Sequence, residues 1–231
     1  LRQQVGFVLV VGEEVDHIGA IVAAESPLAR PACIVMCEPT TNLQGRGQRG
    51  ILKVRLTSTG QEGHSAFPEA GRSAVPPLLH ALERLEGHRW PSHPVLGETT
   101  YNIGLLHAGV AANVFAPRAE AELLFRAVSD PTELLEQVRQ LVGSDVEVTR
   151  LASNPPVLLA TVDGIGDTVI PFNTDAPYLQ HLCPIMLVGP GDIRCAHAPG
   201  EHIHLSDLST GISLYREVAT RILTGDLPRV R

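Results

Sequence analysis

One stretch of the chain, from Ile51 to Leu151, changes hydrophobic period in an order that few folds accommodate. Residues 51–59 (ILKVRLTST) alternate apolar and polar side chains, the mark of a strand with one wet face. Residues 72–86 then switch to helical spacing, with Val75, Leu78, Leu79, Leu82 and Leu85 on one side. Gly, Pro and His crowd into 87–98, which predicts a loop. Strands are predicted over 99–107 and 119–126. Asp130-Pro131 opens a helix to about Leu141, because Asp caps an N-terminus and proline has no N–H to lose at the first helical position. A last strand spans 145–151. The order β-α-β-β-α-β is the ferredoxin-like unit.

On either side the pattern is different. Residues 5–11 and 32–37 are continuous apolar runs rich in β-branched residues, predicting buried parallel strands. Residues 173–175 lead into a short helical stretch, 184–188 form another apolar strand followed by Gly189-Pro190-Gly191, and 205–223 read as a closing amphipathic helix. The fold class expected is α/β: a mostly parallel-sheet domain built from 1–46 and 152–231, with a ferredoxin-like lid over 47–151 inserted between. The chain opens on Leu1 and enters an apolar run by Val5, so the upstream part of the outer domain is expected to be missing.

Composition narrows the partners. The 231 residues carry a net charge of −7, which argues against nucleic acid and anionic membrane surfaces. No apolar run approaches the roughly 18 residues of a membrane span, and Leu1-Arg2-Gln3-Gln4 lacks the features of a signal peptide. Cys33, Cys37, Cys183 and Cys195 make no CxxC pair. They are expected to be free thiols, which suits a reducing cytoplasm.

In open α/β sheets chemistry collects at the C-terminal ends of strands. Glu13-Glu14 follow the first apolar run and Glu38 the second, just before Pro39. His197 follows the 184–188 strand and its Gly-rich turn, with His202 and His204 as nearby alternatives. Carboxylates and imidazole are zinc-type ligands, and a spare carboxylate can serve as a general base. In the inserted unit, His64 lies in a turn (GHSAFP), Asn113 in a turn between strands, and Arg126 at a strand end where its fork could pair with an anion. Taken singly, an acidic pair is more often a solvated face and a lone histidine more often structural.

Their order is more telling. Gly12-Glu13-Glu14, Glu38-Pro39-Thr40, Gly63-His64-Ser65, Asn113, Arg126, Thr174-Asp175 and Gly189-Pro190-Gly191 with His197 and Glu201 run in one sequence. This order resembles the zinc-dependent metallopeptidase and amidohydrolase family of acetylornithine deacetylase, succinyl-diaminopimelate desuccinylase, aminoacylase and glutamate carboxypeptidase. The resemblance implies Glu13 as general base, Glu14 and His197 as ligands of one zinc and Glu38 as a ligand of the other. It implies His64 at the oxyanion hole, donated across a dimer in several members, and Asn113, Arg126 and Thr174 at the substrate. Glu201 would support a ligand. It further implies two zincs per complete subunit, with cobalt or manganese as possible substitutes, and a homodimer formed through the lid. The family's upstream His-x-Asp motif and bridging Asp are not in this sequence, so the chain by itself is expected to be inactive and to bind zinc poorly. The substrate expected is an N-acyl amino acid or small peptide. Asn173–Pro177 and the short return after the lid look most like acetylornithine deacetylase; a dipeptidase or carboxypeptidase of the family, or a non-catalytic dimerising remnant, are the alternatives.

Overall fold

The computed structural model describes residues 4–26 and 31–230, and the chain divides into two compact units. Unit 1 comprises the segments on either side of the insertion, up to Arg49 and from Val157; unit 2 is Gly50–Pro156. The expected lid, 47–151, lies within a few residues of those limits.

Unit 1 opens with α1 (Ile18–Glu25), β1 (Ile34–Met36) and β2 (Gln44–Gln48). The inserted unit follows as β3 (Gly50–Thr59), α2 (Val75–Glu86), β4 (Ser92–His93), β5 (Gly97–Glu98), β6 (Thr100–Ala108), β7 (Arg118–Ala127), α3 (Pro131–Val142) and β8 (Glu147–Asn154). Unit 1 resumes with β9 (Val157–Leu158), β10 (Ala160–Thr161), β11 (Asp167–Ile170), α4 (Ala176–Leu179), β12 (Ile185–Leu187), α5 (Leu205–Leu223) and β13 (Arg229–Val230).

Unit 2 is a four-stranded antiparallel sheet in the order β6-β7-β3-β8. β3 and β6 flank β7, so the β3-α2-β6 crossover skips one strand, which defines the ferredoxin-like arrangement. The alternation along β3 and β7 sends Leu52, Val54, Leu56, Leu123 and Phe125 to one face, where all five are fully buried with Leu78, Leu85, Leu134 and Val138 of the two helices. The other face is polar. Across it Glu122 accepts from Lys53 at 3.1 Å and from Arg55 at 2.7 Å. Asp130 caps α3 as its sequence predicts, accepting from the Thr132 amide at 2.6 Å with Pro131 at the first turn. The loop over 87–98 contains the small β4–β5 hairpin.

Strand β6 is an edge strand, and its side chains are wet: Ile103, Leu105 and Leu106 are 38%, 49% and 52% exposed. An apolar edge of this kind is a ready template for another strand.

Unit 1 contains two parallel pairs, β1–β12 and β2–β11, with β9 antiparallel on β2 and β13 on β10. The strand expected over 5–11 does not form. Phe7 and Leu9 are 91% and 95% exposed, and the run has no ladder partner among the described residues. An apolar sequence supplies burial energy but not hydrogen bonds, and a strand needs a neighbouring strand to accept them. The opening residues 1–3, read against a signal peptide, lie outside the described residues. Among the described residues no helix is long and apolar enough to cross a membrane.

Candidate functional site

In unit 1 the carboxylates lie on short turns held by backbone hydrogen bonds. Gly12, at φ +80°, starts a turn whose carbonyl accepts from the amides of Val15, Asp16 and His17 at 3.1, 3.0 and 2.7 Å. The positive φ of Gly12 favours glycine there. Glu13 and Glu14 sit on this turn.

Glu38 leaves β1 beside a second constrained turn. Thr41 and Asn42 both take left-handed φ, 55° and 61°, an unusual angle for a β-branched threonine. Their amides donate to the carbonyls of Gly191 and Gly189, each at 2.8 Å. The buried Thr40 hydroxyl donates to Leu43 O at 2.6 Å and accepts from Gly189 N at 3.0 Å. These bonds fix the Glu38 segment onto the turn after β12. Tyr215 of α5 donates to Val188 O at 2.8 Å on the same turn.

His197 follows a short 3-10 turn, Ile193–Cys195, and also takes a left-handed φ, 57°. Its backbone N–H donates to Glu201 Oε2 at 3.1 Å. Its Nε2 meets Glu14 Oε1 at 2.9 Å. Chain positions separated by 183 residues are thus in direct contact.

The electrostatics show a surplus of negative charge. Burial, then Glu13, Asp175 and Glu14, push the Glu38 carboxyl up to about 7. Glu13 is raised mainly by burial and then by Glu14 and Asp175, with His17 and His197 partly opposing. The hydrogen bond to Glu14 raises His197. Carboxylate and imidazole are donor types that a divalent metal takes, and here Glu14 and His197 are already paired with each other. Among the described residues, no three His, Cys, Asp or Glu side chains converge as one metal cage.

The raised Glu38 carries a consequence for stability. A carboxyl that holds its proton up to about 7 when folded, against 4.5 ordinarily, makes the metal-free fold lose stability as pH rises through that window. Glu38→Gln should therefore raise the Tm of metal-free protein at pH 8 and leave it nearly unchanged at pH 4. The gain should be on the order of 1–2 kcal/mol, discounted because Glu38 is only half-buried. Equal Tm changes at both pH values would contradict the assignment.

Thr174, expected at the substrate, is 0% exposed. Its hydroxyl donates to Gln48 Oε1 at 2.6 Å and accepts from Ala176 N at 3.1 Å. Asp175 beside it is 4% exposed and meets His17 Nδ1 at 2.8 Å, a pairing that sequence reading passed over. Neither His17 nor this pairing carries a local sequence signal, since the partners are 158 residues apart.

Unit 2 holds the other three candidates. His64 and Asn113 come together: Ser65 N donates to Asn113 O at 2.9 Å, Phe115 N to Gly63 O at 2.8 Å, and His64 bridges to Val114. Both side chains belong to exposed residues. Arg126 is at the opposite end of β7, in register with Ile51 and Thr100. The eight steps from Arg118 to Arg126 span about 27 Å at strand rise. His64 and Asn113 cannot reach the same small molecule as Arg126 within one copy of the unit.

Comparison with known proteins places the fold first. The chain superposes on a tripeptidase from Staphylococcus aureus with a TM-score of 0.70 at 19% identity, over 90% of this chain and 61% of that one. It superposes on an aminopeptidase from Bacillus cereus at 0.61 and 18%, over 89% and 61%. The architecture is therefore the α/β scaffold with an inserted ferredoxin-like unit that these peptidases have. Residues 46–149 match the model of a peptidase dimerisation domain of the M20 type. It is 34% identical over 212 residues to a peptidase M20 domain-containing protein of Schizosaccharomyces pombe, covering 90% of this chain and 53% of that protein. It is 36% identical over 243 residues to a probable carboxypeptidase of Aspergillus flavus, covering 92% and 56%. The chain spans about half the length of the curated relatives it matches.

Proposed function

We propose that the protein carrying this chain is a metal-dependent peptidase that hydrolyses an amide bond next to a free carboxylate, as a carboxypeptidase or dipeptidase. The observation that carries this reading is the cluster in unit 1, where Glu14 meets His197 and two further glutamates are held above their ordinary pKa. The names of the relatives favour a peptidase over the acetylornithine deacetylase that the motifs suggested. Glu14 and His197 would hold one zinc, and Glu38 would contribute to a second. Bound zinc supplies Lewis acidity and makes water a nucleophile near neutral pH. Glu13 would take the proton from the attacking water, and its raised pKa suits it to pass that proton on to the leaving amine.

The lid residues would act in pairs drawn from two copies. Antiparallel pairing of the β6 edge with its symmetry mate carries the Ala108 end of one copy to the Thr100 end of the other. The Ala108 end bears His64 and Asn113; Thr100 is in register with Arg126. A homodimer through β6 would therefore bring His64 and Asn113 of one copy to the end of the sheet where the other copy holds Arg126. Arg126 would grip the substrate carboxylate and His64 would stabilise the negative charge that develops on the scissile carbonyl oxygen.

Arg126→Lys tests the carboxylate clamp. Lysine keeps the charge but loses the two-pronged geometry, so KM should rise about tenfold or more with kcat little changed. The wild type should reject the matching C-terminal amides. Equal use of acid and amide, with KM unmoved in the variant, would exclude the clamp.

A further inference from the structure

We propose that His17 is a positioning residue, locking the Glu13–Glu14 turn onto the Asn173–Asp175 segment through a hydrogen-bond chain that runs in one direction. The inference rests on the proposed roles of Glu13 and Glu14.

The chain can be followed donor by donor. Ala176 N–H donates to Thr174 Oγ1, and that hydroxyl donates to Gln48 Oε1. With its oxygen so engaged, Gln48 turns its Nε2 to Asn173 Oδ1 at 3.5 Å. Asn173 is thereby oriented with its amide nitrogen on His17 Nε2 at 3.3 Å. An amide nitrogen can only donate, so Nε2 accepts and the imidazole proton resides on Nδ1. From there it is donated to Asp175 Oδ1 at 2.8 Å. Each residue in the series donates to the next.

The surroundings suit a clamp and exclude a ligand role. The His17 and Asp175 side chains are 13% and 6% exposed, and the imidazole lies against Tyr178 with ring centres 4.9 Å apart. Both ring nitrogens are occupied. His17 also closes the Gly12 turn through its own amide and takes a left-handed φ of 59°, an angle that glycine or asparagine would adopt more readily. A histidine at such a position points to its side chain as the reason for its presence. Four residues N-terminal to it is Glu13, so the clamp sets where that carboxylate stands.

Two substitutions in the full-length, zinc-loaded protein separate the side chain from the backbone angle. His17→Gly keeps the left-handed angle and removes the imidazole. His17→Asn keeps the angle and offers an amide N–H to Asp175. His17→Gly should lower kcat about 10–100-fold, as loss of a supporting partner does, with KM for a dipeptide within about threefold. Amide hydrogen exchange at Val15, Asp16 and His17 should quicken at least about tenfold. His17→Asn should recover kcat and exchange to within about fivefold of wild type. Wild-type kcat and exchange in His17→Gly would overturn the proposal, because backbone freedom would then be all the position needs. If the wild type itself shows no zinc-dependent hydrolysis, the functional reading fails, and the exchange comparison alone decides whether His17 holds the turn.

Discussion

Glu13→Gln in the full-length protein should lower kcat by about 10²–10⁴-fold while zinc content stays near that of wild type. Glutamine has the shape of glutamate but cannot accept the proton of the attacking water. Glu14 differs because its carboxylate already meets His197 at 2.9 Å. Glu14→Ala should reduce zinc content itself, leaving His197 without its partner. Metal analysis of the two purified variants beside their kinetics separates the roles. Equal zinc loss in both would contradict this division of roles between the pair.

The second large effect concerns assembly. His64→Ala and Arg126→Ala should each lower kcat/KM by about 10²–10³-fold, since each removes one strong interaction with charge. If the site combines His64 of one copy with Arg126 of the other, co-expressed variants should regain activity. In a mixed dimer one site receives both intact residues and the other receives neither. Random pairing in a twofold dimer should then restore about a quarter of wild-type activity. No recovery in mixed dimers isolated with two different tags would mean that each site draws on one chain alone. The separation of about 27 Å along β7 would then have to be closed by a rearrangement of the unit.

Much of unit 2 could be read from sequence because its signals are local. Ile51–Thr59 alternates, and β3 buries Leu52, Val54 and Leu56 on one face. Asp130-Pro131 starts α3 where a cap and a first-turn proline should. The closing helix, 205–223, forms over the same residues. What was not legible depends on contacts distant in sequence. The 5–11 run has strand composition, but a strand also needs a neighbour to accept its hydrogen bonds. Helix α1 escaped notice because IGAIVAAE is apolar all round and His17 offers no side-chain cap, so neither period nor boundary announces it.

The candidate site divides in the same way. Glu13, Glu14, Glu38 and His197 could be picked out because each follows an apolar run or a Gly-rich turn. That Glu14 and His197 touch could be learned only from the fold. Thr174 was selected by its place in an ordered set of motifs. Its burial, and the use of its hydroxyl between Gln48 and Ala176, depend on β2 and α4 lying against it. His17 was missed because it neither begins nor ends a recognisable pattern, and the pairing of Asp175 with it, 158 residues away, could be learned only from the fold. The His64–Asn113 contact follows from how two loops meet, and the distance to Arg126 from strand register.

The most direct test of the proposed activity is steady-state hydrolysis by the full-length protein, stripped of metal and then reloaded with zinc. Dipeptides, N-acyl amino acids and their C-terminal amides should be compared. The account predicts no turnover without metal, recovery with zinc, cleavage of substrates with a free carboxylate and rejection of the amides. Equal cleavage with and without metal, or no cleavage of any of them by protein that holds its zinc, would contradict it.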